Sequence, residues 1–99
     1  MRSSTMYAAV RRYEGVRDPA EAGRLVKEGF VPLMQQVSGF VAYYWVDAGD
    51  GVMVSTSVFQ DRAGAEESVS RAAEFVRENL ASLLPNPPQV MAGEVVASA

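Results

Sequence analysis

The fold is decided by the stretch GFVAYYWVDAGDGVMVSTSVF, which occupies residues 39–59. Aromatic and β-branched side chains fill both halves of this stretch, and such side chains favour strands. Between the halves lies Asp47-Ala48-Gly49-Asp50-Gly51, which supplies the positive φ angles that a hairpin turn needs. We therefore predict two antiparallel strands, Gly39 to Asp47 and Gly51 to Phe59, in the middle of the chain.

An amphipathic helix is predicted on each side of this hairpin. In the first helix, Asp18 can cap the free amide groups and Pro19 suits the first helical position. Pro32 lies within its apolar stripe, so we expect this helix to kink or end near Val31 and to restart. The second helix is predicted to begin after a cap at Asp61 and to reach about Leu84.

Two outer strands complete the pattern, one from about Met6 to Tyr13 and one from Gln89 to Val96. The order is strand, helix, strand, strand, helix, strand, in a chain of 99 residues. This order predicts a single α+β domain, residues 1–99, with a ferredoxin-like βαββαβ fold. Its four-stranded antiparallel sheet would carry both helices on one side, in the strand order four, one, three, two.

Alternate residues of a strand share a face, which divides each strand into an apolar set and a mixed set. We predict that the apolar set lies under the helices; it comprises Met6, Ala8, Val10, Phe40, Ala42, Tyr44, Val46, Val52, Val54, Val58, Met91, Gly93 and Val95. The mixed set would then face away from the helices. That side is too apolar and aromatic to remain in water, so we expect a second copy of the chain to cover it in a homodimer. The opposite phase of the second strand would place Tyr44, rather than Trp45, on that side.

The mixed set supplies the candidate ligand-binding residues, which are Arg11, Tyr13, Tyr43, Trp45, Ser55, Ser57 and Glu94. Aromatic rings, small hydroxyls and one pair of opposite charges are typical of a small-molecule pocket or of a subunit interface that encloses a cavity. In the predicted strand order Arg11 and Glu94 lie on neighbouring strands and could pair. Arg11 would hold either an anionic ligand or this carboxylate, and Glu94 would act as a base only if burial raised its pKa. No catalytic residue is assigned.

Composition excludes several classes of function. The net charge is −3, and no basic cluster exceeds Arg11-Arg12, which argues against nucleic-acid binding. The sequence contains no cysteine and no histidine, so we expect no disulfide, no metal site and no cofactor. The residues before Tyr7 hold no long apolar run, so we expect no signal peptide, no membrane partner and a cytoplasmic location.

The element order is accompanied by four local matches: Val37-Ser38-Gly39-Phe40, Tyr43-Tyr44, the turn from Asp47 to Gly51, and Ser55-Thr56-Ser57-Val58-Phe59. Together they resemble the dimeric α+β barrel superfamily, near the antibiotic biosynthesis monooxygenase-like proteins, over nearly the whole chain. The resemblance implies two sheets packed into a barrel with a cavity in each half. Members include cofactor-independent monooxygenases of quinone-forming aromatic substrates and haem-degrading enzymes, and the absence of histidine argues against the latter.

Two functions stay open at this point. One is a cofactor-independent monooxygenase-like enzyme that acts on a small aromatic or polyketide-like molecule in the cavity. The other is a non-catalytic dimeric module that binds a small ligand or serves in assembly. The observation that distinguishes these two functions is whether polar groups converge in the cavity.

Overall fold

The computed structural model describes residues 5–99. Its elements follow the predicted order: β1 (Tyr7–Tyr13), α1 (Pro19–Leu25), a first π-turn (Val26–Phe30), α2 (Val31–Gln35), β2 (Phe40–Gly49), β3 (Val52–Phe59), α3 (Arg62–Phe75), a second π-turn (Val76–Leu80) and β4 (Gln89–Glu94). The strands form one antiparallel sheet in the order β2-β3-β1-β4. The ferredoxin-like α+β fold and the strand order are thereby confirmed.

Both helices begin at the predicted caps. Asp18 Oδ1 accepts a hydrogen bond from the Glu21 amide at 3.2 Å, and Asp61 Oδ1 accepts one from the Gly64 amide at 2.9 Å. Each carboxylate satisfies an amide that has no partner within its helix. The helix does not end at Val31 as predicted, because α1, the first π-turn and α2 follow one another without a gap and Phe30 and Val31 keep right-handed helical angles. Pro32 lies in the first turn of α2, where a proline is tolerated.

The hairpin between β2 and β3 turns at Asp50 and Gly51, whose φ angles are 55° and 76°. Aspartate is one of the few residues with a side chain that adopt this left-handed region, and glycine adopts it freely. Near its start β2 is irregular, since Phe40 pairs with Phe59 while Ala42 pairs with Val58, which leaves Val41 as an extra residue. This bulge places Phe40 and Ala42 on opposite faces of the sheet.

The predicted assignment of the two sheet faces was wrong. The helices cover the mixed set, and its buried members are Ala9, Arg11, Tyr13, Met53, Ser55, Ser57 and Phe59. The apolar set beyond the bulge lies on the opposite side, which we call the open face; the register aligns Ala8, Val10, Arg12, Ala42, Tyr44, Val46, Val54, Thr56, Val58 and Met91 on it. Tyr44 is 62% exposed there and Met91 71%. Apolar content did not identify the face under the helices, because that face also carries the large aromatic and polar side chains that surround a cavity.

The hydrophobic core lies between the sheet and the helices. Phe30 and Met34 from the first helical segment meet Tyr13, Met53 and Phe59 from the sheet. The two helical segments touch closely at Gly29, where an added Cβ atom would lie 2.9 Å from Cζ of Phe75. No helix within residues 5–99 combines the length and the apolar character needed to cross a membrane.

Candidate functional site

A small cavity of about 10 Å³ lies between the sheet and the two helical segments. We call it the interior cavity; its walls are Arg11, Tyr13, Val26, Phe30, Tyr43, Trp45, Ser55, Ala72, Phe75, Val76 and Leu80. The three sheet residues at its centre are register neighbours, because Ser55 pairs with both Arg11 and Trp45. The cavity is close to the smallest volume that holds one water molecule, so a larger ligand must displace a wall.

Five of the predicted site residues line this cavity, namely Arg11, Tyr13, Tyr43, Trp45 and Ser55. The structure therefore brings together most of the set, but inside the protomer rather than on the open face. This location follows from the face assignment corrected above. Whether these residues bind a ligand stays a prediction.

Arg11 is the charged residue of the cavity wall. Its side chain is buried, with 6% of the residue exposed, and its Nε donates a hydrogen bond to Tyr13 Oη at 2.9 Å. The guanidinium carbon also lies 5.6 Å from the centre of the Tyr13 ring, a distance that permits a cation–π interaction. Within residues 5–99 no carboxylate forms an ion pair with Arg11. A buried guanidinium of this kind can accept an anion from a ligand.

Tyr43 supplies a neutral hydroxyl. Burial raises the pKa of Tyr43 above its ordinary value of 10.0, an effect that the Ser55 side chain partly offsets. The phenol therefore stays protonated at neutral pH and acts as a hydrogen-bond donor. Its ring packs edge-on against Phe30, with 5.4 Å between the ring centres, which holds it in the wall.

Trp45 has a buried indole Nε1 with no hydrogen-bond partner in the part of the chain that the structure describes. An indole N–H can only donate, and a buried donor without an acceptor costs roughly 1 to 3 kcal/mol. The ring is held by Tyr13, with 5.7 Å between ring centres, and packs near Gly23 of α1. A ligand oxygen in the interior cavity is one means of satisfying this donor.

Ser57 and Glu94 lie apart from the interior cavity. The Ser57 hydroxyl is buried beside the Ser68 hydroxyl at 3.4 Å and the Ala9 carbonyl at 3.4 Å. The predicted pairing of Arg11 with Glu94 was wrong, because the register sets Arg11 opposite Val90 and Glu94 opposite Tyr7. Glu94 is also exposed. The error arose because strand adjacency was predicted correctly but the register was not.

The sequence reasoning missed the helical half of the site. Phe30 and Phe75 pack against each other in the cavity wall with 5.3 Å between ring centres, and neither is among the predicted site residues. Both keep helical spacing from another wall residue, since Phe30 follows Val26 by four positions and Phe75 follows Ala72 by three, so this spacing is a signal that could have identified them. The other helical wall residues, which were also not predicted as site residues, are Val26, Ala72, Val76 and Leu80.

The site offers no ligand set for a metal. The cavity walls contain no aspartate, glutamate, cysteine or histidine. Residues 5–99 also contain no cluster of three or more such side chains. The chemistry available in the walls is that of a fixed positive charge, neutral hydroxyl and indole donors, and aromatic faces.

The raised pKa of Tyr43 gives a test of this site that needs no ligand. The neutral phenol contributes stability that is present below about pH 10 and is lost as the pH rises toward the folded-state pKa. We expect the free energy of unfolding to fall more steeply above pH 10 in the wild type than in Tyr43→Phe, by up to ~1.4 kcal/mol per pH unit. Urea unfolding of both proteins across this range measures the difference, and parallel slopes would contradict the burial of the hydroxyl.

Comparison with known proteins found similarity at the level of structure. No family model and no curated protein sequence matches the chain. A protein of unknown function from Nitrosomonas europaea, NE2512, superposes with a TM-score of 0.81 at 24% identity, over 97% of this chain and 94% of that one. The ActVA-Orf6 monooxygenase of Streptomyces coelicolor, in complex with nanaomycin D, superposes at 0.74 and 23% identity, over 96% and 91%. SnoaB from Streptomyces nogalater, a cofactor-independent oxygenase crystallised as mutant N63A, superposes at 0.62 and 17% identity, over 95% and 94%.

Proposed function

We propose, because the chain has the α+β barrel fold of antibiotic biosynthesis monooxygenase-like proteins, that it is a cofactor-independent monooxygenase-like enzyme. Its substrate would be a small aromatic or polyketide-like molecule held in the interior cavity. The observation that carries this proposal is that one cavity is lined by three donor residues: Trp45, whose buried indole N–H has no partner among the described residues, Arg11 with its buried guanidinium, and Tyr43 with its neutral hydroxyl. These donors suit the oxygens of an ionised hydroxyaromatic ring, and the aromatic walls suit its faces.

The relatives support this proposal only through the fold they share with the chain. ActVA-Orf6 is a monooxygenase with a bound ligand and SnoaB is a cofactor-independent oxygenase, whereas NE2512 has no known function. One fold can carry different activities, so the argument for this chain depends on its own site. That site has donors and an aromatic surface that suit such a substrate, and one of its walls must move to admit it.

The walls contain no carboxylate and no imidazole to remove a proton from the substrate. We therefore infer a substrate acidic enough to ionise, with Arg11 stabilising the anion that forms. A methylene group between two aromatic rings fits this requirement, and its oxidation balances as R2CH2 + O2 → R2C=O + H2O. One oxygen atom becomes the carbonyl, and the other leaves as water with both methylene hydrogens. O2 is the oxidant, and the two C–H bonds supply the electrons.

The same proposal includes a homodimer formed through the open face. Tyr44, Val46 and Met91 expose large apolar surfaces there, next to a shallow apolar depression of about 490 Å³ around Val10 and Val54. An apolar sheet face of this extent is unusual in a protein that functions as a monomer. Packing two such faces would bury more than the roughly 1,000 Å² expected of a stable interface.

A non-catalytic ligand-binding module is the second candidate. The absence of a base from the walls of the interior cavity favours it, since binding needs neither turnover nor proton transfer. Both candidates predict that an aromatic ligand binds at Trp45. They differ only in whether O2 is consumed.

Anthrone, which has the required methylene group, tests the proposed enzyme. Trp45 is the single tryptophan of the chain, so its fluorescence reports ligand binding in the cavity directly. We expect anthrone or nanaomycin D to quench this fluorescence. We also expect anthrone to raise O2 consumption above the rate of its spontaneous oxidation in buffer, with water and anthraquinone as products. Quenching without additional O2 consumption would contradict the enzyme and support the ligand-binding module. An absence of quenching would contradict both candidates.

Arg11→Met separates ligand binding from stability. Methionine keeps most of the packing volume, and no carboxylate is left unpaired within residues 5–99, so we expect the variant to stay folded. Affinity for an ionised hydroxyaromatic ligand should fall by roughly 1.5 to 3 kcal/mol, the value of a hydrogen bond to a charged group. Fluorescence titration and thermal unfolding of the same samples give both results. A variant that keeps its affinity would contradict the role of Arg11 in anion binding.

A further inference from the structure

Arg11 borders a second space on its outer side. A surface groove of about 260 Å³ runs between the end of α3, the second π-turn and the segment after it. We call it the outer groove; the wall residues used below are Arg11, Val76, Arg77, Leu84, Pro85 and Pro88. Arg11 and Val76 line both this groove and the interior cavity. The two spaces are therefore neighbours that share these side chains as a partition.

The outer groove is positively charged. Arg11 forms part of its wall, and Arg77 is exposed on the second π-turn beside it. No aspartate or glutamate lines the groove. The ion pair of Arg77 with Glu74 is long, at 4.0 Å, so this guanidinium is only weakly held. Two guanidinium groups thus converge on one groove in a chain whose net charge is −3.

The hydrogen bonding of Arg11 leaves donors for this groove. Nε is engaged by Tyr13 Oη, and the described residues show no hydrogen bond from the two terminal amino groups. A planar guanidinium presents these amino groups as a pair that matches a carboxylate. The remaining walls, Leu84, Pro85 and Pro88, are apolar and suit a short hydrocarbon chain.

We propose that the outer groove is the second half of the ligand site, where it binds a carboxylate-bearing arm of a ligand whose aromatic ring occupies the interior cavity. This inference rests on the proposed function, since it assumes an aromatic ligand beside Trp45. Arg11 binds the carboxylate at the partition, and Arg77 attracts it from the rim. Val76, which lies in the wall of both spaces, must move aside for the arm to pass. The preferred ligand class is an aromatic carboxylic acid with a short arm.

Naphthylacetic acid and its neutral amide, naphthylacetamide, test the inference because they differ mainly in charge. We expect Trp45 fluorescence to show the acid binding about tenfold or more tightly than the amide, as a charged hydrogen bond predicts. Arg77→Gln should reduce that preference by roughly twofold to fivefold, the range for an exposed ion pair. The affinity for the amide should not change. Added salt should weaken the binding of the acid alone.

Arg71→Gln is the matched control. Arg71 is exposed on α3, pairs with Glu67 at 2.7 Å and lies outside the walls of both spaces. This variant loses one positive charge and one surface ion pair, as Arg77→Gln does, but should leave the preference for the acid unchanged. Equal binding of acid and amide to the wild type, or equal effects of the two variants, would overturn the outer groove alone. If neither compound quenches Trp45, the proposed function fails and this inference fails with it.

Discussion

Replacing both Tyr44 and Met91 by aspartate should convert the homodimer that we propose into a monomer. The two side chains are 62% and 71% exposed in the protomer, so the substitutions remove little internal packing. In a dimer that pairs the open faces, each protomer would bring two carboxylates into the interface, at a cost of several kcal/mol for each charge taken from water. We expect the dissociation constant to rise at least about a thousandfold, since each 1.4 kcal/mol is tenfold.

Sedimentation equilibrium at micromolar concentration measures this result. The wild type should give about twice the chain mass of 10.7 kDa, and the double variant the single-chain mass. Ser70→Asp, an exposed substitution on α3, adds a carboxylate on the opposite side of the molecule and should remain dimeric. A wild type that sediments as a monomer under these conditions would contradict the homodimer.

Phe30→Ala should be among the most destabilising substitutions in the chain. Phe30 is 4% exposed, and its ring packs against Tyr43 and Phe75. Removing a buried aromatic ring typically lowers the free energy of unfolding by about 3 to 5 kcal/mol, because the cavity left behind does not fully collapse. Urea unfolding at neutral pH measures the loss, and a change below about 1 kcal/mol would contradict the packing of the core.

The same substitution should also enlarge the interior cavity, because Phe30 is one of its walls. We therefore expect naphthalene to raise the melting temperature of Phe30→Ala more than that of the wild type. Phe30→Leu is the control, since it keeps most of the volume and should cost less than about 1.5 kcal/mol. A ligand effect equal in all three proteins would show that the ring does not border the ligand space.

Local signals in the sequence predicted the elements and their order. Asp18 and Asp61 are caps whose hydrogen bonds form as expected, and Asp50-Gly51 adopts the positive φ angles of the turn. These features depend on residues a few positions apart, and a local pattern can therefore reveal them. The strand order followed from the connections that this fold allows.

The faces and the register were less accessible because they depend on contacts distant in sequence. The helices cover Arg11 and Ser55, although the alternate residues of the same strands are more apolar. Polarity cannot identify the inner face when both faces are largely apolar and one of them encloses polar groups. The position of Glu94 opposite Tyr7 likewise depends on the register between β4 and β1, which the residues of β4 alone do not specify.

The candidate site was predictable only in part. Arg11, Tyr43 and Trp45 were grouped correctly because they share a sheet face whichever side that face is on. The helical walls were missed although Phe30 follows Val26 by four residues and Phe75 follows Ala72 by three. Helical spacing identifies buried residues but does not distinguish a cavity wall from the rest of the core. The small volume of the cavity is a property of packing that no sequence pattern reports.

The bulge at Val41 makes the start of β2 a point where the chain can change length. From Ala42 to Asp47 its pairing with β3 is regular. If Val41 were absent, Phe40 would directly precede Ala42, and regular alternation would place Phe40 on the face toward the helices, where it already lies. A deletion of Val41 therefore leaves Phe40 facing the helices and Ala42 on the open face. A deletion of one residue between Tyr43 and Val46 instead inverts one side of the strand. Natural insertions and deletions in chains of this kind should accordingly collect at the bulge and avoid the stretch that carries Trp45.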